Sequence, residues 1–239
     1  MSRDKATKIG KAAGCGGCGC GALFIMLLGG FLYIALFTNT FARMMGEETY
    51  PLASDPKEFD PFAALDDVRK RVGGQAILVS IEADFVRSDG TMDLTATYSP
   101  APRVTYTFVV QLDPPPVDAP PIGAGRAPGD VWLQQVSVVC YEPGQRRSVT
   151  RISGGSRSQY TYTNEGMDVD RGSPRMGKLP ADIGAPKVST ANLWSSAMAK
   201  GAPRDAVSRI SFSKDGYEFS VTGLKVGFEL DREGKPRTR

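Results

Sequence analysis

The uncharged stretch from Ala12 to Ala42 constrains this chain more than any other feature. No Asp, Glu, Lys or Arg occurs in it, and its centre is almost entirely apolar. A helix from about Cys18 to Thr38 would be ~30 Å long, which matches the hydrocarbon thickness of a bilayer. We therefore predict a transmembrane helix over residues 18–42.

Charges on either side orient the predicted helix. Four basic residues precede it and two glutamates follow it: Arg3, Lys5, Lys8, Lys11, Glu47 and Glu48. Because Lys and Arg stay on the cytoplasmic side, we predict a single-pass protein of the plasma (inner) membrane. Residues 1–17 would be a cytoplasmic tail and residues 43–58 a linker to an extracytoplasmic C-terminal domain. A signal peptide cleaved after Ala42 is the alternative that the sequence leaves open.

Three cysteines crowd the start of this helix, in the glycine-rich run from Gly14 to Gly21. CxxC spacing can bind zinc, but three cysteines supply only three ligands, and we expect no metal or other cofactor. Small residues let two helices approach closely, whereas juxtamembrane cysteines suit S-acylation. Both interpretations stay open for Cys15, Gly17, Cys18, Cys20 and Gly21. The fourth cysteine, Cys140, lies in a strand-like run and is expected to be a buried apolar residue.

Histidine is absent from the 239 residues, which excludes His-dependent triads, HExxH proteases and His-ligated metals. Ser196 and Lys200 lie one helical turn apart, but the other motifs of SxxK enzymes do not follow. Residues 1–20 carry the whole net charge of +3, since the remainder holds 25 basic and 25 acidic residues. Nucleic-acid binding requires a clustered basic face. We therefore predict neither an enzyme nor a nucleic-acid-binding protein.

Residues 59–163 read as one unit that begins with a helix. Asp60-Pro61 is typical of a helix start, and apolar residues then recur at helical spacing up to Gly73-Gly74. Apolar residues then recur at every second position, which predicts strands. Ser88-Asp89-Gly90 is typical of a hairpin turn between two of them. Strands are predicted over residues 77–85, 92–98 and 104–112, with further strands within 130–163.

The same order returns after a predicted loop over residues 164–188. In residues 189–239, Ser189 or Thr190 caps a helix, and a second turn follows at Lys214-Asp215-Gly216. Strands are predicted over residues 208–213, 217–221 and 224–230. The sequence thus predicts an α+β fold, with a transmembrane helix before two α-β-β-β units, each a helix on an antiparallel sheet.

In the second unit a helix ends at Lys200-Gly-Ala-Pro203, and a strand leads to Asp215-Gly-Tyr-Glu-Phe219. A last strand ends at Asp231-Arg-Glu-Gly-Lys235. This pattern, from Leu193 to Lys235, resembles a PepSY-type repeat; it covers about a fifth of the chain. The first unit departs from the pattern by its longer strands and prolines. The resemblance implies extracytoplasmic binding or inhibitory modules, an architecture seen in tandem in beta-lactamase inhibitory proteins, and brings no catalytic residues.

Charged residues form two kinds of candidate site. Glu82 and Asp84 share one face of a predicted strand, and Asp168 and Asp170 form a similar pair; solvated sheet faces carry such pairs routinely. Residues 143–164 contain no acid and four arginines, which are Arg146, Arg147, Arg151 and Arg157. These arginines either hold an anionic partner or prevent an exposed strand edge from pairing.

These features favour a membrane-anchored, extracytoplasmic and non-catalytic binding or inhibitory module for a protein or an envelope polymer. The alternative is a structural accessory subunit of a membrane complex, with the Gly-rich transmembrane helix as its interface. Capture of a partner by residues 44–239 alone would favour the first function, and capture that needs residues 12–42 would favour the second.

Overall fold

The structure, a computed structural model, describes residues 47–117, 129–153 and 156–237; within 151–158 only the backbone is described. The helices are α1 (Leu65–Val72) and α2 (Thr190–Ala199). The strands are β1 (Glu48–Pro51), β2 (Ile77–Val86), β3 (Val104–Gln111), β4 (Val131–Cys140), β5 (Arg146–Ser153), β6 (Ser156–Thr163), β7 (Gly166–Arg171), β8 (Arg175–Gly177), β9 (Ser208–Ser213), β10 (Gly216–Val221) and β11 (Gly227–Leu230).

Nine of these strands form one antiparallel sheet, in the order β1-β7-β4-β3-β2-β9-β10-β11, with β8 paired to β4. The centre of the sheet is the pairing of β2 with β9, in which Ile81 lies opposite Phe212. Each of these two strands starts a run of three neighbouring strands, and each run follows a helix in the chain. Strands β5 and β6 pair only with each other and form a hairpin between β4 and β7.

The core lies between one face of the sheet and the two helices. Side chains alternate between the two faces of a strand, and the inward set on β2 includes Ile81 and Ala83, both fully buried. Val68 of α1 and Trp194 of α2 belong to the same apolar cluster. The indole Nε1 of Trp194 donates to the carbonyl of Val86 at 3.2 Å. One core therefore serves the whole sheet.

The predicted α+β fold class is wrong, because the described chain is largely antiparallel β-sheet with two short helices. The two predicted units share one sheet and one core. Residues 92–98 are a loop, whose alternating pattern arises because Met92 and Leu94 are buried anchors. Both edges of β2 are already paired, with β3 and β9, so no third strand can join it. The predicted linker contains β1, and the predicted loop over 164–188 contains β7 and β8.

The prediction of a single-pass plasma-membrane protein is also corrected. Within residues 47–117, 129–153 and 156–237, neither helix is long and apolar enough to cross a membrane. The segment 18–42, from which the prediction was drawn, lies outside the described residues. The structure therefore gives the predicted anchor, its orientation and the extracytoplasmic location no support.

Candidate binding surface on the open sheet face

The face of the sheet opposite the helices is polar, and we call it the open face. Strand register places one row of side chains across it, because directly paired residues lie side by side. The row consists of Thr49, Asp168, Val139, Thr105, Glu82, Ser211 and Glu218. Glu82 and Glu218 are exposed, and Thr105, Val139 and Ser211 are half-buried. The row therefore offers hydroxyl and carboxylate groups to a ligand on the surface.

An arginine joins the two carboxylates of the predicted pair on β2. The Arg209 Nη2 atom lies 3.0 Å from the Glu82 Oε2 atom, and its Nε atom lies 3.6 Å from the Asp84 Oδ1 atom. Arg209 projects from β9 opposite Asp84. Glu82 and Arg209 are about half exposed, so the pair contributes little to stability. The three side chains form a charged group that can both donate and accept hydrogen bonds.

A β-bulge at the end of β2 places an aromatic residue beside this group. Asp84 pairs with Arg209 and Val86 with Ser208, which leaves Phe85 as the unpaired extra residue. Phe85 has φ of 68°, a left-handed conformation that costs about 1–2 kcal/mol for a residue with a side chain. Val86 is fully buried, whereas Phe85 lies outside the core cluster. The bulge therefore moves Phe85 away from the core.

Phe85 stacks on Tyr98, from the loop that follows β2. Their ring centroids lie 4.7 Å apart with an interplanar angle of 16°. Tyr98 is 45% exposed, which is unusual among the large apolar side chains of the described residues. Strained backbone and bulges concentrate at functional sites. We call the stacked pair the aromatic platform.

The four predicted arginines lie on the β5–β6 hairpin. Arg146 and Arg147 are exposed, and the Arg147 guanidinium lies 4.2 Å from the centroid of the Tyr141 ring. For the other two only backbone pairing is described: Arg151 pairs with Ser158, and Arg157 with Ile152. The structure thus brings the backbone of all four arginines to one two-stranded element.

Polar contacts fasten this hairpin to the end of the open face. The Tyr162 hydroxyl donates to the Asp168 Oδ2 atom at 2.7 Å, and the Tyr160 hydroxyl donates to the Glu47 carboxylate. Both tyrosines belong to a small cluster separate from the main core. Buried side-chain polar atoms without a protein partner lie in the same region: the Nδ2 and Oδ1 atoms of Asn164, the Tyr141 hydroxyl and the Asp168 Oδ1 atom. Unpaired buried polar groups are costly, so the hairpin is held less firmly than the strands of the sheet.

Burial raises the pKa of Asp168 to about 6, and the nearby Glu47 carboxylate acts in the same direction, whereas the Thr49 hydroxyl opposes it. The hairpin contributes Tyr162 and, further off, Arg147 to these surroundings, and the Cys140 thiol lies on the neighbouring strand. Desolvation disfavours the ionised carboxylate in the folded protein. The Tyr162 hydroxyl of the hairpin therefore donates to a carboxyl group whose pKa is raised by burial.

Stability near Asp168 is expected to fall as the pH rises. The pKa of Asp168 is higher in the folded than in the unfolded chain. Its contribution to the free energy of unfolding is therefore fully present below pH 4 and is lost as the pH rises through about 6. Because this carboxyl group is partly exposed, we expect an effect of about 1 kcal/mol. Urea unfolding between pH 4.5 and 7.5 measures it for the wild type and for Asp168→Asn, in which the dependence should flatten. Asp170→Asn is the control on the same strand, and equal pH profiles for wild type and Asp168→Asn would contradict the assignment.

The remaining predicted residues do not form a site among the described residues. Cys15, Gly17, Cys18, Cys20 and Gly21 lie outside the described ranges. Cys140 is fully buried, and burial raises the pKa of its thiol. In the described part of the chain, no group of three or more His, Cys, Asp or Glu residues could hold a metal ion.

Ser196 and Lys200, whose spacing alone did not predict an SxxK enzyme, make other contacts. The Ser196 hydroxyl donates to the carbonyl of Asn192 at 3.2 Å. The Lys200 ammonium lies 4.5 Å from the centroid of the Phe228 ring. No hydroxyl–amine couple of an SxxK enzyme is therefore assembled at these two residues.

No family model matches the chain, and no match was found among curated proteins or solved structures. The resemblance to PepSY-type repeats therefore stays a prediction.

Sequence reasoning missed the aromatic platform, because strict alternation assigns Phe85 to the buried face with Ile81 and Ala83. One signal was available: Val86 is apolar directly after Phe85, so two apolar neighbours interrupt the alternation. Such an interruption is compatible with a bulge. The partner ring, Tyr98, lies in a segment that the pattern assigned to a strand, so its contact with Phe85 was not foreseeable.

Proposed function

We propose that this chain is a non-catalytic binding protein whose ligand is a polysaccharide. The observation that carries the proposal is the strained bulge at Phe85, directly after Asp84 of the Glu82–Arg209–Asp84 group, where the Phe85 ring stacks on the exposed ring of Tyr98. A fold tolerates such strain when its surroundings enforce it, and strain of this kind clusters at ligand sites. Buried packing does not account for it, since Phe85 lies outside the core.

The chemistry of the surface suits a sugar. An exposed aromatic ring offers apolar contact area with little loss of side-chain entropy. Carboxylates and a guanidinium accept and donate hydrogen bonds to hydroxyl groups, and charged partners make the stronger bonds. Thr105 and Ser211 flank Glu82 in the row and add hydroxyl groups. An open sheet face suits a polymer, because a chain bound there can continue past the site at both ends.

The same geometry favours binding over hydrolysis. A glycosidase needs one carboxylic acid kept protonated by a dry environment, beside a second carboxylate. Glu82 is half exposed, and both it and Asp84 are paired with Arg209. Neither carboxyl group therefore lies in the dry environment that a glycosidase acid needs, and both remain available for hydrogen bonds to a ligand.

Removal of the platform or of the arginine should abolish most of the binding. On an immobilised polysaccharide array, we expect Tyr98→Ala and Arg209→Gln each to weaken binding about tenfold or more, which corresponds to about 1.4 kcal/mol. Phe85→Gly should weaken binding without lowering the melting temperature, because glycine accepts the left-handed conformation without strain. Leu224→Ala, which alters an exposed apolar residue elsewhere, is the matched control and should bind normally.

Two outcomes would contradict the proposal. If Phe85→Gly lowers the melting temperature and binding is unchanged, Phe85 has only a structural role. If the chain cleaves a bound polysaccharide and Glu82→Gln abolishes that cleavage, the protein is an enzyme.

A further inference from the structure

We propose that the β5–β6 hairpin binds acidic groups on the polysaccharide. The ligand would then be a polyanionic glycan. This inference rests on the proposed function. It adds the charge of the ligand and a second element that contacts it. Three features of the hairpin carry it: its charge, its position on the open face and the manner in which it is attached.

The hairpin concentrates positive charge on an otherwise acidic domain. Residues 143–164 hold four arginines and no acidic residue, although residues 21–239 as a whole hold 25 basic and 25 acidic residues. The remainder of that range therefore has more acidic than basic residues. Arg146 and Arg147 stand exposed at the base of the hairpin. The planar guanidinium matches the geometry of carboxylates and other oxyanions, which an ammonium group does not.

The hairpin lies on the same face as the proposed sugar site. Its Tyr162 bonds to Asp168, and Asp168 stands in the same row as Glu82. Three strand spacings separate the two, about 14 Å at the usual distance between strands. Val139 and Thr105 lie between them in the row, where each is half-buried. An extended oligosaccharide can therefore contact the hairpin and the Glu82–Arg209–Asp84 group at the same time.

An aromatic contact places Arg147 of β5 next to this surface. Arg147 lies against the face of Tyr141. Burial and the Glu47 charge raise the pKa of Tyr162, and the nearby Arg147 charge opposes them. Arg147 therefore stands near the groups that fasten the hairpin to the sheet. These contacts are polar hydrogen bonds and leave buried atoms unpaired. The hairpin can therefore change its position on ligand binding at a lower cost in free energy than a strand of the core sheet.

The alternative role of the arginines, to keep a free strand edge from pairing, makes a different prediction. It requires only charge on the edges of β5 and β6, so removal of Arg146 and Arg147 would promote self-association without affecting a ligand. Size-exclusion chromatography of the variants tests this role in the same samples.

The experiment uses the full chain and three acidic polymers, polygalacturonate, alginate and hyaluronate, each beside its carboxyl-reduced, neutral form. We expect the wild type to bind at least one acidic polymer tenfold or more tightly than its neutral form at 50 mM NaCl. This preference should shrink at 300 mM NaCl, because salt screens exposed charges. The double variant Arg146→Gln/Arg147→Gln should lose the preference but keep the affinity for the neutral form.

The matched control is Arg204→Gln/Arg232→Gln, which removes two exposed arginines far from the hairpin in sequence and should keep the preference. Equal affinity of the wild type for acidic and neutral forms would overturn the inference and leave the proposed function intact. A preference that survives in the hairpin variant would overturn it as well. Binding that is insensitive to both Tyr98→Ala and Arg209→Gln would instead refute the proposed function.

Discussion

Replacement of Trp194 by alanine should reduce the free energy of unfolding by about 3–5 kcal/mol, the range for large-to-small substitutions of buried aromatic residues. Trp194 is fully buried, packs edge-on against Phe219 with 5.4 Å between the ring centroids, and donates a hydrogen bond to Val86. It thereby connects α2 to strands from both halves of the sheet. Since domains are stable by only about 5–15 kcal/mol, this loss would remove a large part of the free energy of unfolding.

The control for this substitution is the second tryptophan of the chain. Trp132 lies on β4, is half-buried and pairs across the strand with Met176 of the edge strand β8. Trp132→Ala should therefore cost less than half as much, because less apolar area returns to water. Urea titration monitored by circular dichroism gives both free energies. Equal losses would show that α2 does not hold the two halves of the sheet together.

Replacement of Gly216 by alanine should separate the last strand from the sheet. A Cβ atom at this residue would lie 2.1 Å from the carbonyl oxygen of Leu230, far inside contact distance, and φ at Gly216 is +104°. This oxygen belongs to the backbone of β11 and not to a flexible side chain, so β11 must move away from β10. We expect a cost of about 2–5 kcal/mol, from the clash and the strained conformation together.

Gly223 supplies the control for that variant. It too has a positive φ, +76°, but no atom lies within 4 Å of where its Cβ would be. Gly223→Ala should cost only about 1 kcal/mol, from backbone strain alone. Hydrogen exchange should then show faster exchange of the β11 amides in Gly216→Ala but not in Gly223→Ala. If the two variants lose the same stability and show the same exchange, backbone strain rather than the approach of β11 explains the need for glycine at residue 216.

Local patterns located several elements correctly. The period of two over 77–85 and 208–213 corresponds to β2 and β9, because each strand has one buried and one solvated face. The side chain of Ser189 accepts from the Asn192 amide at 3.2 Å and caps α2 as its type predicts. Such features depend on neighbours within a few residues, so the sequence alone specifies them.

Three short strands on the β4 side of the sheet were beyond the sequence. Strands β1, β7 and β8 lie in segments predicted as linker or loop, since they are short and only partly alternating. They are strands because β4 and β7 supply hydrogen-bonding partners from distant parts of the chain. Conversely, residues 92–98 alternate like a strand but cannot pair with β2, because β3 and β9 already occupy both of its edges.

The sequence by itself determines the uncharged stretch over 12–42 and the absence of histidine. It also predicts the strands that have one buried face. The candidate surface was not, because pairing between β2 and β9 creates the bulge that turns Phe85 toward Tyr98. The same pairing places Arg209 between Glu82 and Asp84. Composition and periodicity record which residues prefer burial, whereas register across strands far apart in the chain decides which side chains meet.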